Sequence, residues 1–382
     1  MKIRIAVHGR FHAFELARGL HRRGMLECLQ TTYPRFAARR VVGKDVSLLS
    51  VPYLEITRRF GDRLGFSRTL DVSVAKRFAR AVARSLTTSD ADVLVGWSSA
   101  TLEAIDVAHD MGMRVVIERG STHIQHQTEV LSKVYRDLGL RGEITPPVII
   151  EREIAEYEAA DAIVVPSEIS RETFLERNVA ADKVFVNHLG VDTSQFAPPP
   201  SRQRENNAPV ILFVGALSAR KGTATLFEAF SKLSGRAELV CVGPIDAEFQ
   251  KVLTKLPPGN VTLMGRVSRN DIHDAYKNAD IFCLPSHEEG FGMVALEAMA
   301  SGLPVILSDQ VGAADLIEPN VDGLIFEAGD VEALSTAMAS LMDDRDRRLE
   351  MGDAAAKKAR TSQTWGGYTD RAMEIYGKIG VT

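Results

Sequence analysis

The stretch "LPSHEEGFGMVALEAMASGLPVI" at residues 284–306 decides the fold of this chain. An apolar run at 281–284 predicts a buried strand, and Gly290 and Gly292 predict a turn whose backbone can approach a ligand closely. A helix is expected over about 293–301, because a Gly-Leu-Pro sequence then supplies a typical helix stop. Strand, glycine-rich turn and helix N-terminus together predict an α/β unit with an anion-binding site at the turn.

Length and composition indicate a globular α/β protein of two domains. The 382 residues exceed one ordinary core, and 45% hydrophobic residues, 25% charged residues and a net charge of −4 are typical of globular chains. No apolar run is long enough to span a membrane, and the chain enters a strand at 3–7 without a secretory leader, which predicts a cytoplasmic protein. The three cysteines (Cys28, Cys241 and Cys283) lack metal-ligand spacing and are expected to be buried, reduced thiols.

Apolar strands alternate with amphipathic helical stretches along both halves, which predicts parallel sheets. The predicted strands are 3–9, 92–97, 114–119 and 162–167 in the first half, and 210–216, 238–244, 261–265, 281–286 and 303–309 in the second. A proline-rich polar stretch separates the halves. The predicted organisation is an N-terminal domain at 1–195, a linker at 196–209, a C-terminal domain at 210–363, and a final helix at 364–382 packing an apolar stripe towards the N-terminal domain.

The two halves also resemble each other. "AADAIVVPSE" (159–168) and "NADIFCLPSHE" (278–288) share Ala-Asp, an apolar run and then Pro-Ser in the same register. Two similar sheets that face each other create a cleft at the carboxyl ends of their strands, where open α/β sheets bind ligands.

Two carboxylates flank the predicted anion site. Glu289 precedes the glycine turn and Glu297 lies in the following helix. Carboxylates are strong acceptors for hydroxyl donors, as in the acid that binds a ribose in dinucleotide sites. The site therefore suits a ligand built of a sugar, a diphosphate and a ribose.

A second strand–turn–helix, "FVGALSARKGTATL" (213–226), carries Arg220 and Lys221 in its turn. Two adjacent cations can neutralise the charge of a departing diphosphate without a metal. The alternative is an ordinary surface turn, which the acidic loop at the corresponding end of the same predicted sheet disfavours.

The basic residues are concentrated at the N-terminus. Residues 1–90 contain eighteen Lys and Arg against seven Asp and Glu. This excess predicts attraction to an anionic membrane face or an anionic acceptor, with a solvated surface as the equal alternative.

These motifs resemble those of the retaining GT-B glycosyltransferases of family 4, the glycosyl transferases group 1. The matching segments are "EEGFGMVALEAMASGLPV" (288–305), "VGALSARKG" (214–222), "EYEAADAIVVPSEISRETF" (156–174), "HLGVDTSQFAP" (188–198) and "MGRVSRNDIHDAYKNADIFCLPS" (264–286). The resemblance spans about residues 1–380 and is most specific in the C-terminal half. It implies two facing Rossmann-like parallel-sheet domains with a cleft between them, in which the N-terminal domain binds the acceptor and the C-terminal domain binds the nucleotide-sugar donor.

The resemblance also implies roles for individual residues. Glu289 contacts the donor sugar, Glu297 the ribose, and Lys221 the donor phosphates, while His123 lies near the donor sugar. The expected catalytic residues are His123, Arg220, Lys221 and Glu289. The expected donor-binding residues are Gly9, Gly215, Arg266, Val267, Gly290, Phe291, Gly292, Met293, Val294 and Glu297.

The chain departs from the family pattern at two places. Ala216 stands where the family often has an arginine, so Arg220 is expected to supply the second cation. The first loop has one glycine before its helix, and its Arg10 and His12 are weaker candidates for contacts with phosphate or acceptor. His123 has an alternative too, a plain strand-to-helix turn capped by Ser121 or Thr122.

The expected activity is retaining transfer of a sugar from a UDP- or GDP-sugar to a glycan or lipid-linked acceptor, in bacterial surface polysaccharide or glycolipid synthesis. The family uses no divalent metal, and no cofactor or nucleic acid partner is expected. The alternatives are a non-catalytic sugar-nucleotide-binding subunit and an epimerase or phosphorylase-like enzyme of the same fold. A dinucleotide dehydrogenase is disfavoured, because "HGRFHAFE" (8–15) lacks GxGxxG.

Overall fold

A computed structural model describes residues 1–57, 67–140, 145–199, 208–233, 235–255, 260–268 and 271–380, with the backbone alone for 67–71. Most of the predicted linker at 196–209, and residues 58–66 of the basic region at 1–90, lie outside these residues. The domain boundaries proposed from the sequence stay a prediction.

The N-terminal sheet is entirely parallel, with strand order β3-β2-β1-β4-β5-β6-β7. Its strands are β1 (Ile3–Val7), β2 (Leu26–Thr31), β3 (Leu48–Ser50), β4 (Val93–Trp97), β5 (Arg114–Glu118), β6 (Ala162–Val165) and β7 (Val184–Val186). The associated helices are α1 (Ala13–Arg22), α2 (Arg35–Val42), α3 (52–57), α4 (Ser67–Leu86), α5 (Leu102–Asp110), α6 (Ile124–Asp137), α7 (Pro147–Ala159) and α8 (Glu168–Leu175).

The C-terminal sheet repeats this plan, with order β10-β9-β8-β11-β12-β13 and every pair parallel. Its strands are β8 (Val210–Val214), β9 (Glu238–Val242), β10 (Val261–Gly265), β11 (Ile281–Leu284), β12 (Val305–Ser308) and β13 (Gly323–Phe326). The helices are α9 (Thr223–Ser231), α10 (Gln250–Leu253), α11 (Asp271–Lys277), α12 (Met293–Ala300), a 3₁₀ turn (Gly312–Leu316), α13 (Val331–Asp343), α14 (Arg345–Ser362) and α15 (Trp365–Lys378).

The strand order reverses between β1 and β4 in one sheet and between β8 and β11 in the other. Loops on either side of such a reversal diverge and leave a crevice at the carboxyl ends of the strands. The carboxyl ends of the two sheets face each other, since the loop after β11 contacts the loops after β5 and β6. The predicted two-sheet architecture with a cleft is confirmed.

The final helix α15 returns to the N-terminal domain, as the sequence predicts. Thr369 of α15 packs closely against Gly19 of α1. A Cβ atom on Gly19 would lie 2.1 Å from the Thr369 hydroxyl oxygen. Asp370 forms a 2.6 Å ion pair with Arg23, and the Asn187 side-chain amide donates to the Tyr368 carbonyl at 3.2 Å. Helix α15 therefore packs on the N-terminal domain although it follows the C-terminal domain in the sequence.

Two further predictions concern the cysteines and membrane-spanning segments. The three cysteines are buried and free, as predicted. Among the described residues, no helix combines the length and apolarity needed to cross a membrane.

Candidate active site

The candidate site lies where the strand order of the C-terminal sheet reverses. The loop after β8 and the loop after β11 leave neighbouring strands there, so residues 215–222 and 285–292 share one edge of the sheet. The His287 N–H donates to the Arg220 carbonyl at 2.9 Å and so joins the two loops. Gly222 has φ +63°, and a Cβ at this position would lie 1.8 Å from the Pro285 carbonyl oxygen. Only glycine allows the loops to approach this closely.

Lys221 and Glu289, one from each loop, form an ion pair between Nζ and Oε2. Their side chains are 19% and 15% exposed, so a ligand can reach both groups from the cleft. The structure thus brings together the two residues that the sequence assigns to the phosphates and to the sugar.

The start of α12 lies beside this pair. Gly292 is its N-cap with φ +88°, and Met293 is its first helical residue. The first N–H groups of a helix have no partner within the helix and favour an anion. A Cβ on Gly292 would lie 3.4 Å from the Glu289 Cγ, so the helix N-terminus and the ion pair border the same space. The loop from Gly290 to Val294 is therefore placed as the sequence predicts.

Glu297 is oriented by a buried tyrosine that the sequence did not single out. The hydroxyl of Tyr276, which is wholly buried, lies 2.9 Å from Glu297 Oε2 and 3.2 Å from the Val294 carbonyl oxygen. Burial, and then the neighbouring Glu297 charge, raise the pKa of Tyr276 well above its usual range. The hydroxyl therefore stays protonated and donates to the carboxylate.

Arg220 does not extend freely into the site. Its Nε lies 2.9 Å from Glu288 Oε2 and donates to the Glu288 carbonyl at 3.0 Å. Glu288 therefore competes with a donor phosphate for Arg220, which the sequence predicts to be the second phosphate-binding cation. The physical reason is that Glu288 is only 1% exposed, and a buried carboxylate requires a compensating charge.

Glu288 also joins the two domains. It accepts hydrogen bonds from the hydroxyls of Ser121 and Thr122, and from the Gln127 amide at 3.0 Å. Burial favours the neutral acid, but the Arg220 charge and these hydrogen bonds outweigh it and lower the pKa of Glu288 to about 2. The carboxylate is thus fixed across the cleft, one residue before Glu289.

The loop after β11 makes further contacts with the N-terminal domain. The Gly290 carbonyl accepts from Ser167 Oγ at 2.8 Å and from Ser170 Oγ at 3.3 Å. A Cβ at Gly290 would lie 2.3 Å from the Gly120 carbonyl oxygen. The glycine turn is therefore held between the two sheets.

His123 is located differently from the expectation of a side chain facing the cleft. The residue is 3% exposed, and its ring lies 5.2 Å from that of Tyr157 and 4.9 Å from that of Phe174. Its Nδ1 accepts from the Gln125 N–H at 3.2 Å, so His123 itself, not Ser121 or Thr122, caps α6. Burial, aided by nearby arginines, lowers its pKa to about 3 and keeps the ring neutral.

The remaining predicted residues lie on separate loops around the cleft. Gly9, with φ +98°, follows β1 and donates its N–H to Thr32 Oγ1 at 2.9 Å. Gly215 follows β8, and a Cβ on it would lie 3.8 Å from the Lys221 Cε. Arg266 is exposed and Val267 half-buried after β10.

The first N-terminal loop directs His12 inward. Its Nε2 lies 3.4 Å from Glu118 Oε2, and Tyr368 of α15 donates to the other carboxylate oxygen at 3.2 Å. The imidazole is therefore part of a buried cluster that attaches α15 to the N-terminal sheet. Arg10 is half-buried in the same loop.

Comparison with known proteins agrees with this geometry. Residues 197–358 match the family model described as glycosyl transferases group 1. This match covers less than half of the chain, so it shows similarity to the group 1 glycosyl transferases in the C-terminal part of the chain. The sulfoquinovosyl transferase SQD2 of Arabidopsis thaliana is 30% identical over 53% of this chain and 42% of its own length.

A second relative of this chain is a GDP-mannose-dependent alpha-(1-6)-phosphatidylinositol monomannoside mannosyltransferase of Mycobacterium tuberculosis, 30% identical over 54% of this chain and 59% of its own length. The matches thus span less than two thirds of these relatives. The solved structure of Anabaena Alr3699/HepE in complex with UDP and glucose superposes with a TM-score of 0.69 at 16% identity, covering 99% of both chains. The fold is GT-B.

Proposed function

We propose that this protein transfers a sugar from a nucleoside-diphosphate sugar to an acceptor with retention of anomeric configuration. The observation that carries the proposal is the Lys221–Glu289 ion pair beside the N-terminus of α12. An ammonium and a helix N-terminus are suited to a diphosphate, and a carboxylate between them is suited to the hydroxyls of a sugar.

Donor binding would replace the Lys221–Glu289 ion pair with separate contacts from each residue to the donor. The donor phosphates take the Lys221 ammonium, and Glu289 is released to accept hydrogen bonds from the sugar hydroxyls. Glu297, oriented by Tyr276, accepts from the ribose, and the loop after β10 with Arg266 and Val267 contacts the base. The UDP and glucose in the HepE complex, and the GDP-mannose dependence of the Mycobacterium tuberculosis mannosyltransferase, support a donor of the UDP- or GDP-sugar class.

The transfer step separates the sugar from the diphosphate and joins it to the acceptor oxygen on the same face. Negative charge grows on the leaving diphosphate, where Lys221 and the first N–H groups of α12 stabilise it. The departing phosphate oxygen accepts the proton of the acceptor hydroxyl. These groups supply the required charge, so no resident metal or cofactor is proposed.

Two predicted catalytic residues have protein partners of their own. Arg220 stays a predicted phosphate contact: its Nε is engaged by Glu288, and its side chain is 36% exposed. His123 stays a predicted sugar contact, and its enclosed ring would have to leave the Tyr157–Phe174 pair to reach the donor.

The acceptor is proposed to be a glycan or lipid-linked molecule at the inner face of a bacterial membrane. The outer surface of α2 exposes Arg35, Phe36, Arg39 and Arg40, with Phe36 68% exposed. Tyr53 and Ile56 of α3 are 57% and 63% exposed. Cationic and aromatic side chains on one domain suit an anionic lipid surface, and the phosphatidylinositol monomannoside mannosyltransferase supports a lipid acceptor.

The test incubates the protein with a panel of UDP- and GDP-sugars, with and without cell-envelope lipid extract, in the presence of a chelator. Release of free nucleoside diphosphate from one donor, accelerated by extract, is the expected result. Binding of a nucleotide sugar with no turnover under any condition would instead indicate a non-catalytic binding subunit. Co-sedimentation with vesicles containing or lacking anionic lipid separately tests the membrane contact.

A further inference from the structure

The N-terminal domain contains a second concave site, separate from the donor loops. A cavity of about 510 Å³ is lined by Val72, Ser73, Lys76, Arg77 and Arg80 of α4 and by Pro146 and Val148 at the start of α7. None of these residues belongs to the site described above.

The lining is strongly cationic. Lys76, Arg77 and Arg80 contribute three positive charges, and no Asp or Glu is among the lining residues that the structure describes. Within the described ranges, no Asp or Glu forms a salt bridge with any of the three. Glu103, which interacts with the Arg80 charge at longer range, is itself paired with Arg152.

Lys76 is half-buried, and Arg77 and Arg80 are exposed. By contrast, the buried Arg4, Arg119 and Arg152 each have a carboxylate partner, at 3.1 Å from Glu27 and from Glu153 in the first two cases. Cations that share a cavity without an acid repel one another, and a bound anion relieves that repulsion. The charge arrangement therefore favours an anionic ligand.

The position of the cavity in the fold indicates that its ligand is part of the acceptor. Arg152, which lies in the second turn of α7, donates to the Ser99 carbonyl in the loop after β4. The start of α7, and with it Val148, therefore lies at the carboxyl edge of the sheet, the edge that faces the C-terminal domain. The N-terminal domain is the one proposed to bind the acceptor.

The chemistry of the lining specifies the anion further. Guanidinium groups bind phosphate oxygens in pairs, and an ammonium adds a point charge. Val72, Pro146 and the 42% exposed Val148 border the cations with apolar surface. We propose that this cavity binds a phosphate group carried by the acceptor, either a lipid phosphate or a soluble phosphate ester. The acceptor identity rests on the proposed function, whereas the anion site does not.

The test uses the full chain carrying Lys221→Ala, so that phosphate cannot bind through the donor lysine. Inorganic phosphate is titrated calorimetrically into this protein and into the same protein with K76Q, R77Q and R80Q. The matched control neutralises three exposed cations of α14 instead, with R345Q, K357Q and R360Q. Circular dichroism and thermal melting establish that each variant is folded.

The expected result is a phosphate affinity at least about tenfold weaker after loss of Lys76, Arg77 and Arg80, as for removal of a charged hydrogen bond, with no change in the control. Co-sedimentation with phosphatidylcholine vesicles with and without phosphatidylglycerol identifies the source. Loss of vesicle binding together with phosphate binding indicates a lipid phosphate, and loss of phosphate binding alone indicates a soluble ester. Equal phosphate affinity in the triple variant and the control overturns the proposal. Donor turnover is measured separately on the unmutated protein, so a failure of the proposed function is recognised independently.

Discussion

Lys221 and Glu289 form an ion pair that joins the loops after two neighbouring strands of the C-terminal sheet. Neither residue is fully buried, so the pair is accessible to a ligand that competes for both members. A diphosphate competes for the ammonium and a hydroxyl competes for the carboxylate. If the proposed function holds, the ion pair keeps both side chains close to the positions in which they would bind the donor.

Lys221→Ala is expected to lower sugar-transfer turnover by about 100-fold to 1,000-fold, the usual effect of removing one group that stabilises developing charge. The measurement is the rate of nucleoside diphosphate release with saturating donor. Lys232→Ala is the control, because Lys232 forms an exposed ion pair with Glu332 in the same domain. Equal losses in both variants would assign the effect to the fold and not to the site.

The positions of these two residues could be predicted because they depend on local sequence. An apolar run followed by a glycine turn marks β11 and α12, and the helix begins and ends within one residue of the expected positions. Where local signals are weak, strands were missed. β2 mixes Leu26 and Leu29 with Glu27 and Gln30, and β3 and β7 are only three residues long.

The contacts between domains could not be read from the sequence. Ser121, Thr122 and Gln127 converge on Glu288 from a segment more than 160 residues away. The sequence singled out Glu289 and assigned no role to Glu288, because the role of Glu288 depends on its burial against the other domain. For the same reason, the sequence assigned Arg220 to the donor and His123 to the cleft, whereas tertiary packing gives both of them other partners.

Tyr276→Phe is expected to weaken nucleoside diphosphate binding by about tenfold, because Glu297 loses a buried hydrogen-bond donor. If Tyr276 acts by orienting Glu297 towards the ribose hydroxyls, the substitution matters only for a nucleotide that has those hydroxyls. Tyr276→Phe and the unmodified protein then bind a 2′,3′-dideoxy nucleotide with equal affinity. Calorimetry with both nucleotides measures this difference. Tyr376→Phe is the matched control, since Tyr376 is equally buried and its hydroxyl has no hydrogen-bond partner among the described residues. A loss of affinity for both nucleotides would contradict the positioning role.

Gly222→Ala is expected to impair turnover more than Gly235→Ala. Both glycines have positive φ, +63° and +73°, so each substitution carries backbone strain of roughly 1–2 kcal/mol. Only at Gly222 does the new Cβ also collide with the Pro285 carbonyl, whereas nothing lies within 4 Å at Gly235. The collision separates the loops that carry Lys221 and Glu289. Urea unfolding and donor turnover measured on both variants test this, and equal turnover in both would contradict it.

Glu288→Gln is expected to destabilise the protein at neutral pH and to lose that effect in acid. The pKa of Glu288 falls from 4.5 to about 2 in the folded protein, since the Arg220 pair and the hydrogen bonds outweigh burial. A lowered carboxyl pKa stabilises the fold above the unfolded value, here by about 3 kcal/mol. That contribution declines as the pH falls from 4.5 to about 2.

The measurement is the free energy of urea unfolding for the unmodified protein and for Glu288→Gln between pH 7 and about pH 2. The difference between the two proteins is expected to be largest near neutral pH and to shrink below pH 4.5, the usual pKa of the group. Glu332→Gln is the control, because its surface pair with Lys232 is exposed and contributes little at any pH. A difference that does not vary with pH would show that Glu288 stabilises the domain interface through shape and hydrogen bonding and not through its charge.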